Sequence, residues 1–85
     1  AKNLVYKTAW LIDNGQDASM AASMAKFYAS EVCNEIAAKT VQIHGGYGFI
    51  KDYKIERMFR DCRVFTIYEG TSQVQQIVIS RSLLK

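Results

Sequence analysis

Apolar positions recur at threes and fours along most of this chain, and that spacing predicts helix after helix. Leu4, Val5, Trp10, Leu11 and Ile12 form the first stripe, punctuated by Lys2, Lys7 and Asp13, and predict a helix over 3–14. Asn14-Gly15 is a turn signal that ends it. No capping residue precedes the stripe, so this helix reads as cut at its start. A second stripe runs through Met20, Met24, Phe27, Tyr28, Val32, Ile36, Thr40 and Ile43. It predicts one long helix over 18–43, capped by Asp17 or Ser19. Its length is about 39 Å at 1.5 Å per residue. Ala21, Ala25, Ala29 and Ala37 within it favour helix and let neighbours approach closely. The other segments are short for covering such a helix. Partners outside the chain, another copy or another domain, are therefore expected along it.

Gly45, Gly46 and Gly48 break the long helix, because glycine permits φ > 0 and a close approach of backbone. Ile55, Met58, Phe59 and Cys62, at i, i+3, i+4 and i+7, predict a third helix over 53–62. Val64 to Tyr68 is short and apolar and reads as strand or loop. Ser72-x-x-Gln75 then reads as a capping box, opening a last helix whose stripe is Val74, Ile77, Val78 and Leu84. The fold class is all-α, an up-and-down helical bundle forming one domain over 1–85.

Composition narrows this further. The chain has 85 residues, no proline, and 49% hydrophobic against 22% charged side chains, which describes one globular domain. A large multi-domain enzyme is not contained in it. The net charge of +3 is mild. Lys51, Lys54, Arg57, Arg60 and Arg63 recur every third residue, but steps of three drift by about 60° around a helix. With Asp52, Glu56 and Asp61 between them, they read as solvated ion pairs and not as a nucleic-acid stripe. Cys33 and Cys62 read as two buried thiols of a reducing compartment, not as a disulfide framework. No apolar run reaches the roughly 18 residues of a membrane span. His44 has no Cys/His cluster around it, so no metal site is proposed. Trp10, Tyr6, Tyr28, Tyr47 and Tyr53 read as core or interface. The chain starts with Ala and shows no cleavable leader, as in a processed protein or an excised piece.

Candidate chemistry sits in two places. Gln42-Ile43-His44-Gly45-Gly46-Tyr47-Gly48 is not a dinucleotide fingerprint, because position 51 is Lys where a third glycine is needed. Nor is it a phosphate loop, since no Gly-Lys-Ser/Thr follows. From spacing alone it is a glycine C-cap and turn. Glu69, just before the last helix, is either an exposed loop carboxylate or a general base.

A resemblance joins the two. Gln42, Gly45-Gly46, Gly48, Phe49, Asp52, Arg57 and Asp61 stand at the spacing of the C-terminal signature of the acyl-CoA dehydrogenase family. Arg60-Asp61 and Ile67-Tyr68-Glu69-Gly70-Thr71-Ser72 follow in that family's order, and Arg81 with Leu83-Leu84 is similar too. The chain resembles most of that family's C-terminal bundle without its first helix. Members bind FAD and oxidise acyl-CoA thioesters to trans-2-enoyl-CoA. The resemblance implies that Glu69 is the catalytic base, taking the α proton while the flavin takes hydride from the β carbon. It implies that Gly70 leaves room for the thioester. Gln42, Ile43, His44, Gly45 and Gly46 would contact FAD held mainly by a neighbouring subunit, and Thr71, Ser72 and Gln73 would form a second FAD-contacting stretch. A homodimer or homotetramer, an acyl-CoA substrate and an electron-transfer flavoprotein as electron acceptor are implied as well, in a mitochondrial matrix or a bacterial cytoplasm. The contrasting expectation is a stand-alone, non-catalytic helical interaction module derived from this domain. On the first expectation, the 85-residue piece is inactive by itself.

Overall fold

The computed structural model describes residues 1–84. Four α-helices come one after another: α1 (Lys2–Asp13), α2 (Ser19–His44), α3 (Ile55–Asp61) and α4 (Ser72–Leu83). Among the described residues there is no strand. The 26-residue α2 is the spine, and α1, α3 and α4 all pack on it. The result is elongated, 49 × 24 × 18 Å.

Asp17 helps start α2, its Oδ1 accepting from the Ser19 N–H at 3.0 Å, while Ser19 is itself the first helical residue. At the far end Gly45, at φ 59, takes the chain out of the helix. That conformation favours a residue without Cβ. The chain then winds into a 3₁₀ turn over Gly45–Phe49 and does not open into a loop. Gly48 serves close approach within that turn: a Cβ there would lie 2.6 Å from the Val41 carbonyl oxygen of α2.

Three elements differ from the sequence expectation. The third helix starts two residues later, at Ile55, and tightens into a 3₁₀ turn over Cys62–Thr66. That turn absorbs most of the Val64–Tyr68 segment, which is neither strand nor open loop. The cap of α4 is Thr71, whose Oγ1 accepts from the Val74 N–H at 3.2 Å. The expected Ser72–Gln75 capping box therefore does not form: the cap lies one residue earlier, Gln75 turns to the Glu69 and Gly70 carbonyls, and Ser72 Oγ donates to Glu31 Oε1 on α2 at 2.6 Å.

The buried set also differs. The long-helix residues that go inside are Ser23, Ala25, Ser30 and Ala37, not the large stripe. Small side chains let α1 and α4 come close to the spine. Ile36 remains 57% exposed and Ile43 83%. Trp10, Tyr6, Tyr28, Tyr47 and Tyr53 are also exposed in this chain and form no core of their own. Cys62 is buried but Cys33 only half-buried, and both thiols are free. Burial, with Cys33 beside it, pushes the Cys62 thiol up from its ordinary value. An open apolar groove of about 530 Å³ lies between α2 and α3, lined by Ile36, Ala37, Ile55, Met58 and Phe65 among others. These uncovered faces are what a helix wanting outside partners should show. Arg60 pairs with Glu56 at 2.8 Å and Arg57 with Asp61 at 3.4 Å, so two of the five basic residues make local i, i+4 pairs. The Arg60 hydrogen bond holds the Glu56 carboxyl below its usual range.

Candidate functional site

Glu69 and Gly70 form a left-handed turn at the mouth of α4. Gly70 has φ 93, and Glu69 has φ 54, the one non-glycine residue with positive φ among those described. Such a conformation in a residue with a Cβ is sparsely populated and needs surroundings that hold it. Here they are polar. Gln75, buried in the first turns of α4, donates through Nε2 to the carbonyls of Glu69 at 3.2 Å and Gly70 at 3.3 Å. Lys26, half-buried on α2, donates through Nζ to the same Gly70 carbonyl at 2.8 Å. The Lys26 ammonium also lies 6.0 Å from the centroid of the Tyr68 ring. The Glu69 side chain stands exposed at the surface of this domain.

The residues behind the turn fall into two kinds. Thr71 and Ser72 both spend their hydroxyls inside the protein, on the Val74 N–H and on Glu31. What they and Gln73 offer outward is backbone. The N–H groups of Ser72 and Gln73 open α4 and have no intrahelical acceptor, and a helix N-terminus favours an anion. The Gln73 side chain is exposed.

The glycine corner lies elsewhere. Glu31, which holds Ser72, and Gly45 are 14 positions apart on or at the end of α2, about 20 Å along its axis. So the fold brings Glu69, Gly70, Thr71, Ser72 and Gln73 together and keeps Gln42, Ile43, His44, Gly45 and Gly46 apart from them. All five corner residues are exposed. A Cβ built on Gly45 or Gly46 meets nothing within 4 Å, so the backbone there is open to a ligand. His44 Nδ1 sits 2.8 Å from the Thr40 carbonyl oxygen. A carbonyl only accepts, so Nδ1 carries the proton and Nε2 is left facing outward. Bare backbone at one place and helix N–H groups at the other fit the phosphate chemistry of a dinucleotide.

The sequence reading missed Lys26, Glu31 and Gln75 as supports of the turn. Lys26 is 44 positions from Gly70, and no local pattern signals that pairing. Gln75 was visible only as the partner of Ser72 in a capping box that does not form.

An all-α layer of short helices on one long helix, with a carboxylate turn at one helix mouth and a glycine corner at the spine's end, is a domain-sized part built for larger surroundings. Residues 1–84 match the family described as acyl-CoA dehydrogenase, C-terminal domain, and the chain belongs to the acyl-CoA dehydrogenase family. It is 75% identical over its whole length to the caffeyl-CoA reductase-Etf complex subunit CarC of Acetobacterium woodii, covering 22% of that protein. It is 59% identical, also over its whole length, to the 3-(aryl)acrylate reductase of Clostridium sporogenes, again covering 22%. The butyryl-CoA dehydrogenase structure from Megasphaera elsdenii superimposes with a TM-score of 0.97 at 40% identity, over 99% of this chain and 22% of that one. The chain therefore spans about a fifth of the length of these relatives. Among the described residues no helix is long and apolar enough to cross a membrane, and no group of three or more potential metal ligands occurs.

Proposed function

We propose that this chain is the C-terminal domain of a longer FAD-dependent enzyme that interconverts acyl-CoA and trans-2-enoyl-CoA, with Glu69 as its proton-transfer group. The observation that carries this reading is the Glu69-Gly70 turn. A carboxylate held at φ 54 by hydrogen bonds from two helices is structure spent on aiming a side chain. Glu69 takes the α proton in the dehydrogenating direction. In the reducing direction, which the names of the Acetobacterium and Clostridium relatives carry, the same carboxyl returns it.

Gly70 would border the thioester through its backbone, the space of a Cβ there being filled by Gln75, and a backbone N–H beside Glu69 would donate to the thioester oxygen as negative charge develops there. Gln42, Ile43, His44, Gly45 and Gly46 would hold the FAD of a neighbouring subunit, and Thr71, Ser72 and Gln73 that of their own. The separation of about 20 Å along α2 supports assigning the two stretches to different flavins. When bound, FAD supplies the acceptor for the β-carbon hydride. The exposed apolar faces suit the enzyme's other domains and a homodimer or homotetramer. An electron-transfer flavoprotein as redox partner is supported by the Etf complex named for the Acetobacterium relative. A bacterial cytoplasm suits the free thiols and the bacterial relatives, as a mitochondrial matrix would suit the thiols alone.

The test is made on the full-length protein. It should purify with FAD, and its flavin absorbance should bleach with an acyl-CoA or return with the matching enoyl-CoA. A full-length protein that binds no flavin would instead be the non-catalytic module, and the enzyme reading would fall. A second expectation concerns Gly70. A Cβ there would come within 2.7 Å of Gln75 Nε2, at a backbone angle of φ 93 that disfavours any side chain. Gly70→Ala should displace Gln75, free the Glu69 carbonyl, leave the Gly70 carbonyl to Lys26 alone and lower turnover about 100-fold. Steady-state kinetics at unchanged FAD content would check it, and wild-type turnover would contradict the role given to the turn.

A further inference from the structure

We propose that Lys26 is a positioning residue, fixing the aim of Glu69 by clamping the Gly70 carbonyl from the long helix. This rests on the reading of Glu69 as the proton-transfer group. Gly70 O accepts from both Lys26 Nζ and Gln75 Nε2, so both its lone pairs are used. Glu69 O accepts from Gln75 as well. Each carbonyl is coplanar with the following N–H, so the two successive peptide planes after Glu69 are both pinned. With those planes fixed, the remaining rotations at Glu69 decide where its carboxylate points.

The two clamps are not equivalent. Gln75 belongs to α4, which the turn itself opens, so it holds the turn only to its own helix. Lys26 comes from α2 and ties the turn to the spine on which every other helix packs. Its bond is the shorter and is charge-assisted, about twice as strong as a neutral one. The ion pairs among the described residues all lie elsewhere, so the ammonium is spent on a backbone carbonyl and the Tyr68 ring. A methionine would keep much of the stem's packing and remove the donor; an arginine would keep a donor.

The experiment uses the full-length enzyme with Lys26→Met, Lys26→Arg and Glu69→Gln, all rates taken per bound FAD. Two quantities are read: turnover with an acyl-CoA, and deuterium uptake at the α carbon of that acyl-CoA in D₂O. Lys26→Met is expected to lower kcat about 10- to 100-fold, the cost of misplacing a reacting group by an ångström or less. KM should stay within about twofold, since the clamp touches no substrate, and α-carbon exchange should fall in step with kcat. Lys26→Arg should recover most of both. If Lys26→Met keeps wild-type kcat per flavin while Glu69→Gln is inactive, the clamp is overturned and the base reading stands. If only flavin content falls, and the rate per flavin does not, the clamp is equally overturned. If Glu69→Gln itself keeps wild-type turnover and exchange, the base reading fails and the clamp fails with it.

Discussion

Glu69→Gln in the full-length enzyme should reduce turnover by about 10²- to 10⁴-fold, the range a positioned acid–base group contributes. Glutamine has the same shape and length but cannot take a proton from carbon. The fold should not register the change. The hydrogen bonds that hold this residue are made by its backbone carbonyl, and glutamine offers the same carbonyl to Gln75. FAD content, thermal unfolding and acyl-CoA affinity should therefore match the wild type, and α-carbon exchange in D₂O should vanish with turnover. Glu69→Asp should fall between the two, since losing one methylene withdraws the carboxylate by more than an ångström from its target. An active Glu69→Gln would remove the proton-transfer assignment, whatever flavin the protein held.

Why this residue could be found in the sequence, and its supports could not, is a matter of range. The helices were legible because their apolar spacing is local: α1 and α2 lie within a residue or two of the 3–14 and 18–43 expectations. Glu69 was singled out by the resemblance, which matches Tyr68 to Thr71; local pattern alone leaves it open between a loop carboxylate and a general base. The cap of α4 was read one residue late, as both Thr71 and Ser72 have suitable hydroxyls, and only the fold shows that Ser72 is claimed by Glu31. Lys26 looked like one more polar position on a long helix, and nothing nearby in sequence marks its bond to Gly70. The buried set was hard to read for a related reason. Period alone picks out large apolar residues, whereas the residues of α2 that are buried, Ser23, Ala25, Ser30 and Ala37, are all small. The large residues of the stripe stay exposed or half-buried in a chain that spans about a fifth of its relatives' length.

The same distinction, between what the chain needs for itself and what it offers outward, separates two glycines of the corner after α2. Gly48→Ala should lower stability by about 1–3 kcal/mol, the usual cost of overpacking. Its Cβ would sit 2.6 Å from the Val41 carbonyl oxygen and 3.2 Å from Val41 Cα. Those are backbone atoms of the spine and cannot swing aside as a side-chain tip would. The 3₁₀ turn over Gly45–Phe49 must shift off α2, carrying Gly45 and Gly46 away from Gln42, Ile43 and His44, which stay on the helix. In the full-length enzyme the melting temperature and flavin retention should drop together. Gly46→Ala is the contrast. Its Cβ meets nothing within 4 Å, and its backbone is not in the left-handed region, so the isolated fold has no reason to object. If a flavin lies against that bare backbone, Gly46→Ala should weaken FAD binding while the apoprotein melts as the wild type does. Thermal unfolding of the apoprotein and FAD titration read the two effects separately. An unchanged FAD affinity in Gly46→Ala would take the cofactor away from this corner and leave the glycine pair as a helix stop alone.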